Sequence, residues 1–232
     1  MVDGRSVEDL VVGVLGGTGQ LGRGLGVRLA AAGQRVLLGS RQPERAALAA
    51  EEVGTSALAA ARGGTEVFVR GGANADVAGA ADVVVIAVPY AGQATTLAGL
   101  ATALAGKVVV DCVVPMGWDD LGAYVLDVPD GSACQEAAAL LPDSAVVGAF
   151  HHVSAALLAD LSRPTVDGDV MVVGDSREAT DVVQQLAGRL PGMRGVYAGL
   201  LRNARQVEAL TINLVSVNQR YGAHAGVRVT DV

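Results

Sequence analysis

Short, nearly unbroken apolar runs recur along this 232-residue chain, separated by longer stretches in which apolar positions return every three or four residues. The runs fall at 11–15 (VVGVL), 35–39 (RVLLG), 66–69 (EVFV), 82–88 (DVVVIAV), 107–112 (KVVVDC) and 145–149 (AVVGA). Strands covered by helices on both faces read this way, because neither face is left to water. The segments 20–32, 43–53, 91–104 and 131–141 between them read as helices. Pro43 suits a first helical turn, and Glu44 beside it favours the positive end of the helix dipole. Strand alternating with helix predicts an α/β fold: a Rossmann-type doubly wound parallel sheet. Past residue 150 the rhythm changes. A helix at 153–161, a strand at 169–174, a helix at 176–190 capped by Asp175 or Ser176, and a last long helix at 203–219 follow. The pattern therefore predicts two domains, a sheet domain at 1–150 and a smaller C-terminal α/β domain at 151–232. Val207, Leu210, Leu214, Val217 and Tyr221 share one face of the last helix. Such a stripe serves equally as core or as half of a dimer interface.

Composition narrows the class. Apolar residues make up 51% of the chain and charged residues 18%, enough to bury a substantial core. The longest apolar run, at 83–91, falls well short of the ~18 residues of a membrane-spanning helix, so no membrane partner is expected. The opening MVDGRSVEDL is acidic and lacks the apolar centre of a secretory signal. A formal charge of −7, with Lys107 the only lysine, argues against nucleic acid, which demands clustered cations. Cys112 and Cys134 form no CxxC pair, so neither a disulfide framework nor a metal site is expected, and a reducing cytoplasm is.

The first apolar run leads directly into Gly17-Thr18-Gly19-Gln20-Leu21-Gly22, a GxGxxG that opens a helix. In that setting the first glycine permits the tight turn and the second admits a pyrophosphate close to the backbone. The third lets the helix pack on the strand, while the helix N-terminus supplies amide donors and a positive dipole. Where NAD-binding sheets end their second strand on Asp or Glu to hold the ribose 2′-hydroxyl, this chain has Gly39-Ser40-Arg41, with Arg45 one turn further on. A hydroxyl and two guanidinium groups suit a 2′-phosphate, which points to NADP(H).

Ligands of open parallel sheets bind outside the carboxyl ends of the strands. Three strand exits stand out there: Val88-Pro89-Tyr90, Val113-Val114-Pro115-Met116 and His151-His152. Small apolar residues and prolines make dry walls for flat rings. His151 is the candidate acid or base, since imidazole titrates near neutrality. No carboxylate is placed by sequence to orient it, so a purely binding role stays open. No GxSxG elbow is present.

Several separated stretches resemble the NADPH:coenzyme F420 oxidoreductases. Gly16 through Arg41 is similar to the family's glycine turn and following GSR. VVGAFHHV at 146–153 and NARQVEALT…NQRYGAHAGVRVT at the end are similar to its histidine segment and its C-terminal helix and tail. The resemblance implies a homodimer that passes a hydride between NADP(H) and the 5-deazaflavin coenzyme F420. It places NADP along Gly17, Thr18, Gly19, Gln20 and Leu21, with Thr18, Ser40, Arg41 and Arg45 around the 2′-phosphate. It places the deazaflavin among Val88, Pro89, Val114, Pro115, His151, His152 and Val153. Two departures bear on that pocket: Ser154 where the family has proline, and Gly222 where bacterial members commonly have lysine. The same residues would also serve an NADPH- or F420-dependent reductase of an imine or natural product, or a non-catalytic NADP(H) sensor.

Overall fold

Successive side chains of the strand Val83–Ile86 fall on opposite faces of a sheet, as the pleat dictates, and all four are buried. Val83 and Val85 join one apolar cluster and Val84 and Ile86 another, so the sheet is covered on both sides. The computed structural model describes residues 4–232. Its strands are β1 (Val11–Leu15), β2 (Arg35–Ser40), β3 (Phe68–Ala73), β4 (Val83–Ile86), β5 (Val108–Asp111), β6 (Met116–Asp119), β7 (Gly122–Val125), β8 (Ala145–Gly148), β9 (Gly168–Gly174) and β10 (Met193–Gly199). The helices are α1 (Gln20–Ala31), α2 (Pro43–Ala60), α3 (Asn74–Ala80), α4 (Tyr90–Ala98), α5 (Ala101–Leu104), α6 (Ala133–Leu140), α7 (Ala155–Ala159), α8 (Arg177–Gly188) and α9 (Ala204–Tyr221). Leu25 and Leu29 of α1, Val53 of α2 and Leu186 of α8 fill the first cluster. Val77 of α3, Leu104 of α5, Ala137 of α6 and Val207 of α9 fill the second.

The eight-stranded sheet runs β10-β9-β8-β5-β4-β1-β2-β3, with β6 and β7 forming a separate hairpin. The six strands from β3 to β8 are parallel, in the order expected of a doubly wound sheet, with the switch between β1 and β4. Beyond residue 150 the chain adds β9 antiparallel to β8 and then β10 parallel to β9, extending the same sheet.

The doubly wound α/β sheet follows the expected pattern, with informative departures. β3 lies at 68–73 instead of 66–69, because an edge strand accepts the polar, glycine-rich RGGA. The helix expected at 91–104 is broken at Gly99–Leu100 into α4 and α5. α3, the β6–β7 hairpin and β10 carry no strong apolar period and are recognisable only in the fold. Both residues that depart from the resembled family have local duties. Ser154 caps α7 by accepting from Leu157 N at 3.4 Å, and Gly222 ends α9 in the left-handed conformation at φ 59°.

Because β9 runs against β8, its start lies toward the carboxyl edge of the parallel strands. There the buried Asp169 gathers the C-terminal tail. Arg194 donates Nε to Oδ1 at 2.8 Å and Nη2 to Oδ2 at 3.1 Å, Val229 N donates at 2.6 Å, and Asp169 N donates to Val227 O at 2.7 Å. The Arg194 hydrogen bonds hold the Asp169 carboxyl below its ordinary 3.8. A lowered carboxylate pKa stabilises the folded state fully above the unfolded value, and the contribution disappears as pH falls through the folded value. Amide exchange at Val229 is therefore expected to be protected above about pH 4 and to lose protection in stronger acid. In Asp169→Asn it should be fast at neutral pH as well. Protection unchanged in that variant would show that the tail is held by other contacts.

Candidate active site

One rung of paired backbone residues crosses the carboxyl edge of the sheet: Gly39 opposite Leu15, Leu15 opposite Ile86, Ile86 opposite Asp111 and Asp111 opposite Gly148. Each chain then leaves the sheet in step. Hydrogen bonds from Gly17 N to Gly39 O at 3.0 Å, Ala87 N to Leu15 O at 2.9 Å and Ala149 N to Asp111 O at 3.0 Å extend the ladder past the rung. This common register brings the glycine turn, Ser40-Arg41, Val88-Pro89, Val114-Pro115 and His151 to one edge, although they are scattered over the sequence.

The turn is built for close approach. Gly16 sits at φ 79°, and a Cβ there would strike the Ala87 carbonyl, 2.8 Å from its carbon, and crowd Val88 Cγ1 at 3.1 Å. The turn thus lies against the exit of β4 and forms the floor of the switch-point crevice. Gly19 caps α1 with no side-chain hydrogen bond, leaving the first amides of the helix without a side-chain acceptor. Arg23, which motif reading passes over, donates Nε to Thr18 O at 3.2 Å and pairs with Glu52 of α2, bracing the turn from outside. Beside it, Ser40 is half-buried and its Oγ accepts from Gln42 N at 3.1 Å. Arg41 and Arg45 are exposed, and neither takes part in an ion pair among the described residues. These features fit a dinucleotide carrying a third phosphate: the uncapped first turn of α1 for the pyrophosphate and guanidinium groups outside any ion pair beyond the second strand.

Val88 and Val114 are half-buried, Pro89 exposed and Pro115 buried, so together they give the crevice apolar sides. Phe150 leaves β8 at φ 62°, a left-handed conformation that a bulky residue adopts only when its surroundings impose it, here at 1% exposure. Val153 N closes the turn onto Phe150 O at 3.2 Å. That reversal buries both histidines. His152 Nε2 accepts from Met171 N at 3.2 Å, anchoring β9, and burial lowers its pKa to about 4. His151 is 5% exposed, its Nε2 stands 3.5 Å from Cys134 Sγ, and burial lowers its pKa to about 3. An imidazole so placed is neutral at physiological pH.

A polar network that sequence reading missed lies behind these walls. Gln93 of α4 donates Nε2 to Asp111 Oδ2 at 2.6 Å and to Ala133 O at 3.0 Å. Val113 N donates to Asp111 Oδ1 at 2.8 Å, which sets the direction of the Val114-Pro115 wall. Glu208 of α9 accepts from Ala133 N and Cys134 N, each at 3.1 Å, at the start of α6. Burial pushes the Asp111 carboxyl up to about 8, raises Glu208, and holds the Cys112 and Cys134 thiols well above their ordinary range. No spacing rule links Asp111, Cys134 and His151; only the packing of β5, α6 and β8 brings them together. The buried Arg28 of α1 was equally hidden. It donates to the carbonyls of Leu157, Leu158, Asp160 and Arg163, tying α1 to α7 and the turn that follows it.

A parallel sheet whose switch point opens on an uncapped glycine turn is the architecture of dinucleotide-dependent oxidoreductases. Residues 11–115 match the family described as NADP oxidoreductase, coenzyme F420-dependent. The chain is 38% identical over 226 residues to the F420-dependent NADP reductase of Methanothermobacter marburgensis, covering 95% of this chain and 98% of that one. It is 37% identical over 224 residues to the enzyme of the same name from Methanocaldococcus jannaschii, with 95% and 98% covered. The chain belongs to the F420-dependent NADP reductase family. The crystal structure of a candidate F420-dependent NADP-reductase from Arthrobacter sp. FB24 superposes with a TM-score of 0.76 at 26% identity, covering 94% of this chain and 97% of that one.

Proposed function

We propose that the protein catalyses reversible hydride transfer between NADP(H) and coenzyme F420 in the crevice at the carboxyl edge of the sheet. The observation that carries this reading is the shared rung, which sets an anion-binding turn and two apolar walls around one opening. When bound, the nicotinamide and deazaflavin rings supply the hydride donor and acceptor. The turn from Gly17 to Leu21, with the uncapped N-terminus of α1, holds the pyrophosphate, and Thr18, Ser40, Arg41 and Arg45 hold the 2′-phosphate. Val88, Pro89, Val114, Pro115 and Val153, backed by His151 and His152, would hold the two flat rings between dry apolar walls and exclude water. No side-chain nucleophile is required. Residues 1–150 then serve NADP(H), and 151–232 complete the deazaflavin end.

A homodimer accords with the apolar surface left exposed beside the crevice: Trp118 and Tyr124 of the hairpin, Leu121 at its tip, and Val217 and Tyr221 of α9. Two buried, unpaired thiols suit a reducing cytoplasm. No helix among the described residues is long and apolar enough to cross a membrane.

Mixing the protein with NADPH and oxidised F420 should bleach the visible absorbance of the deazaflavin. NADPH binding without bleaching would transfer the site to an imine reductase or a cofactor sensor. In the same assay, folded His151→Ala is expected to keep kcat within about tenfold. A loss of about 10²-fold or more would assign the imidazole to proton transfer.

A further inference from the structure

Asp111 closes β5, Cys134 stands in the first turn of α6, and His151 follows β8. In the fold, one donor atom of each lies within 4.8 Å of the other two, and all three side chains are buried. The approach depends on Gly148. A Cβ at that position would stand 2.8 Å from Cys134 Sγ and 3.1 Å from His151 Cε1.

Two further observations concern what the cluster lacks. Asp111 and Glu208 are 0% and 3% exposed, yet neither is within ion-pair distance of a lysine or arginine among the described residues. Without a positive partner a buried carboxyl keeps its proton, as burial favours for both groups, and a bound cation can take the place of that proton. In addition, His151 Nδ1 and Gln93 Oε1 are buried without a hydrogen-bond partner among the described residues. Such orphans are rare in native interiors, and two of them in one network are the mark of an ion or water that belongs there.

We propose that Asp111, Cys134 and His151 bind one divalent transition-metal cation of the zinc class, which fastens β5, α6 and β8 together behind the crevice wall. A thiolate, an imidazole and a carboxylate form a borderline-soft donor set that suits Zn²⁺ or Co²⁺. Mg²⁺ and Ca²⁺ require oxygen ligands throughout. On binding, the Cys134 thiol and the Asp111 carboxyl each lose a proton to solvent, and the resulting thiolate and carboxylate balance the two positive charges. Gln93 Nε2 and Val113 N, already bonded to the Asp111 carboxylate, orient it from outside the ligand set. The role is structural, and no step of hydride transfer passes through the ion.

Purified protein stripped with a chelator and titrated with Co²⁺ tests the site without any activity measurement. One equivalent should bind, with thiolate-to-cobalt charge transfer and, with a water as the fourth ligand, the visible bands of a tetrahedral ion. Zn²⁺ should raise the Tm while Mg²⁺ leaves it unchanged. Cys134→Ser should abolish the charge-transfer band and weaken binding at least about tenfold, and Gln93→Ala should weaken it about 10–100-fold. Cys112→Ser should bind normally. If Cys134→Ser does not fold, the wild-type cobalt spectrum decides. No spectrum and no Zn²⁺-dependent rise in Tm would overturn the proposal, as would an unchanged spectrum in folded Cys134→Ser. These readouts stand whether or not the protein reduces F420.

Discussion

Alanine at both Arg41 and Arg45 is expected to raise the KM for NADPH about 10²-fold and to leave kcat at saturation nearly unchanged. A charge-assisted hydrogen bond contributes about 1.5–3 kcal/mol. Both side chains are exposed, so the lower end applies, and each contact is then worth about a factor of ten. The 2′-phosphate is remote from the reacting carbon and is held alike in ground and transition states, so the loss falls on KM. NADH has no such phosphate, and its KM should change by less than about threefold, collapsing the preference between the two nucleotides. Steady-state kinetics with both nucleotides check this. An unchanged preference would place the 2′-phosphate away from the end of β2.

Gly16→Ala should be as damaging by another route. Its φ of 79° costs a side-chain-bearing residue roughly 1–2 kcal/mol. The new methyl would also meet the Ala87 carbonyl group and Val88 Cγ1, neither of which is a flexible side-chain end that can swing away freely. The turn must lift from the exit of β4, carrying the Gly17–Leu21 amides with it and opening the crevice beside Val88-Pro89. NADPH affinity by calorimetry should fall about 10²-fold or more, with a lower Tm. Gly79→Ala, at an exposed position of α3 with nothing within 4 Å of the added methyl, should leave both unchanged or gain slightly in stability. Equal behaviour of the two variants would mean that contact between the turn and β4 is dispensable.

Much of the nucleotide half was legible because its information is local. A strand ending in glycines, a helix beginning without a capping side chain, and arginines replacing an acid after the second strand all act within a few residues of one another. The β6–β7 hairpin and β10 left weaker traces. Met116–Asp119 and Gly122–Val125 are short and half exposed, and β10 carries Arg194, Gly195 and Tyr197 where a central strand would be apolar. Such strands form because a neighbour offers an edge, which no local pattern reports. The stripe on α9 shows a similar boundary: Val207 is buried in the core, while Val217 and Tyr221 emerge from it, at 37% and 75% exposure.

Taken alone, the sequence determined the alternating architecture, the glycine turn and the pair of arginines after the second strand, since each depends on backbone conformation and residue type at adjacent positions. Tertiary structure decided which strand exits share an opening, how deeply His151 and His152 are buried, and that Asp111, Cys134 and His151 meet. Those facts depend on the register of parallel strands far apart in the chain. Register is set by the summed burial of both sheet faces, and a shift of one residue would turn every side chain of a strand to the other side.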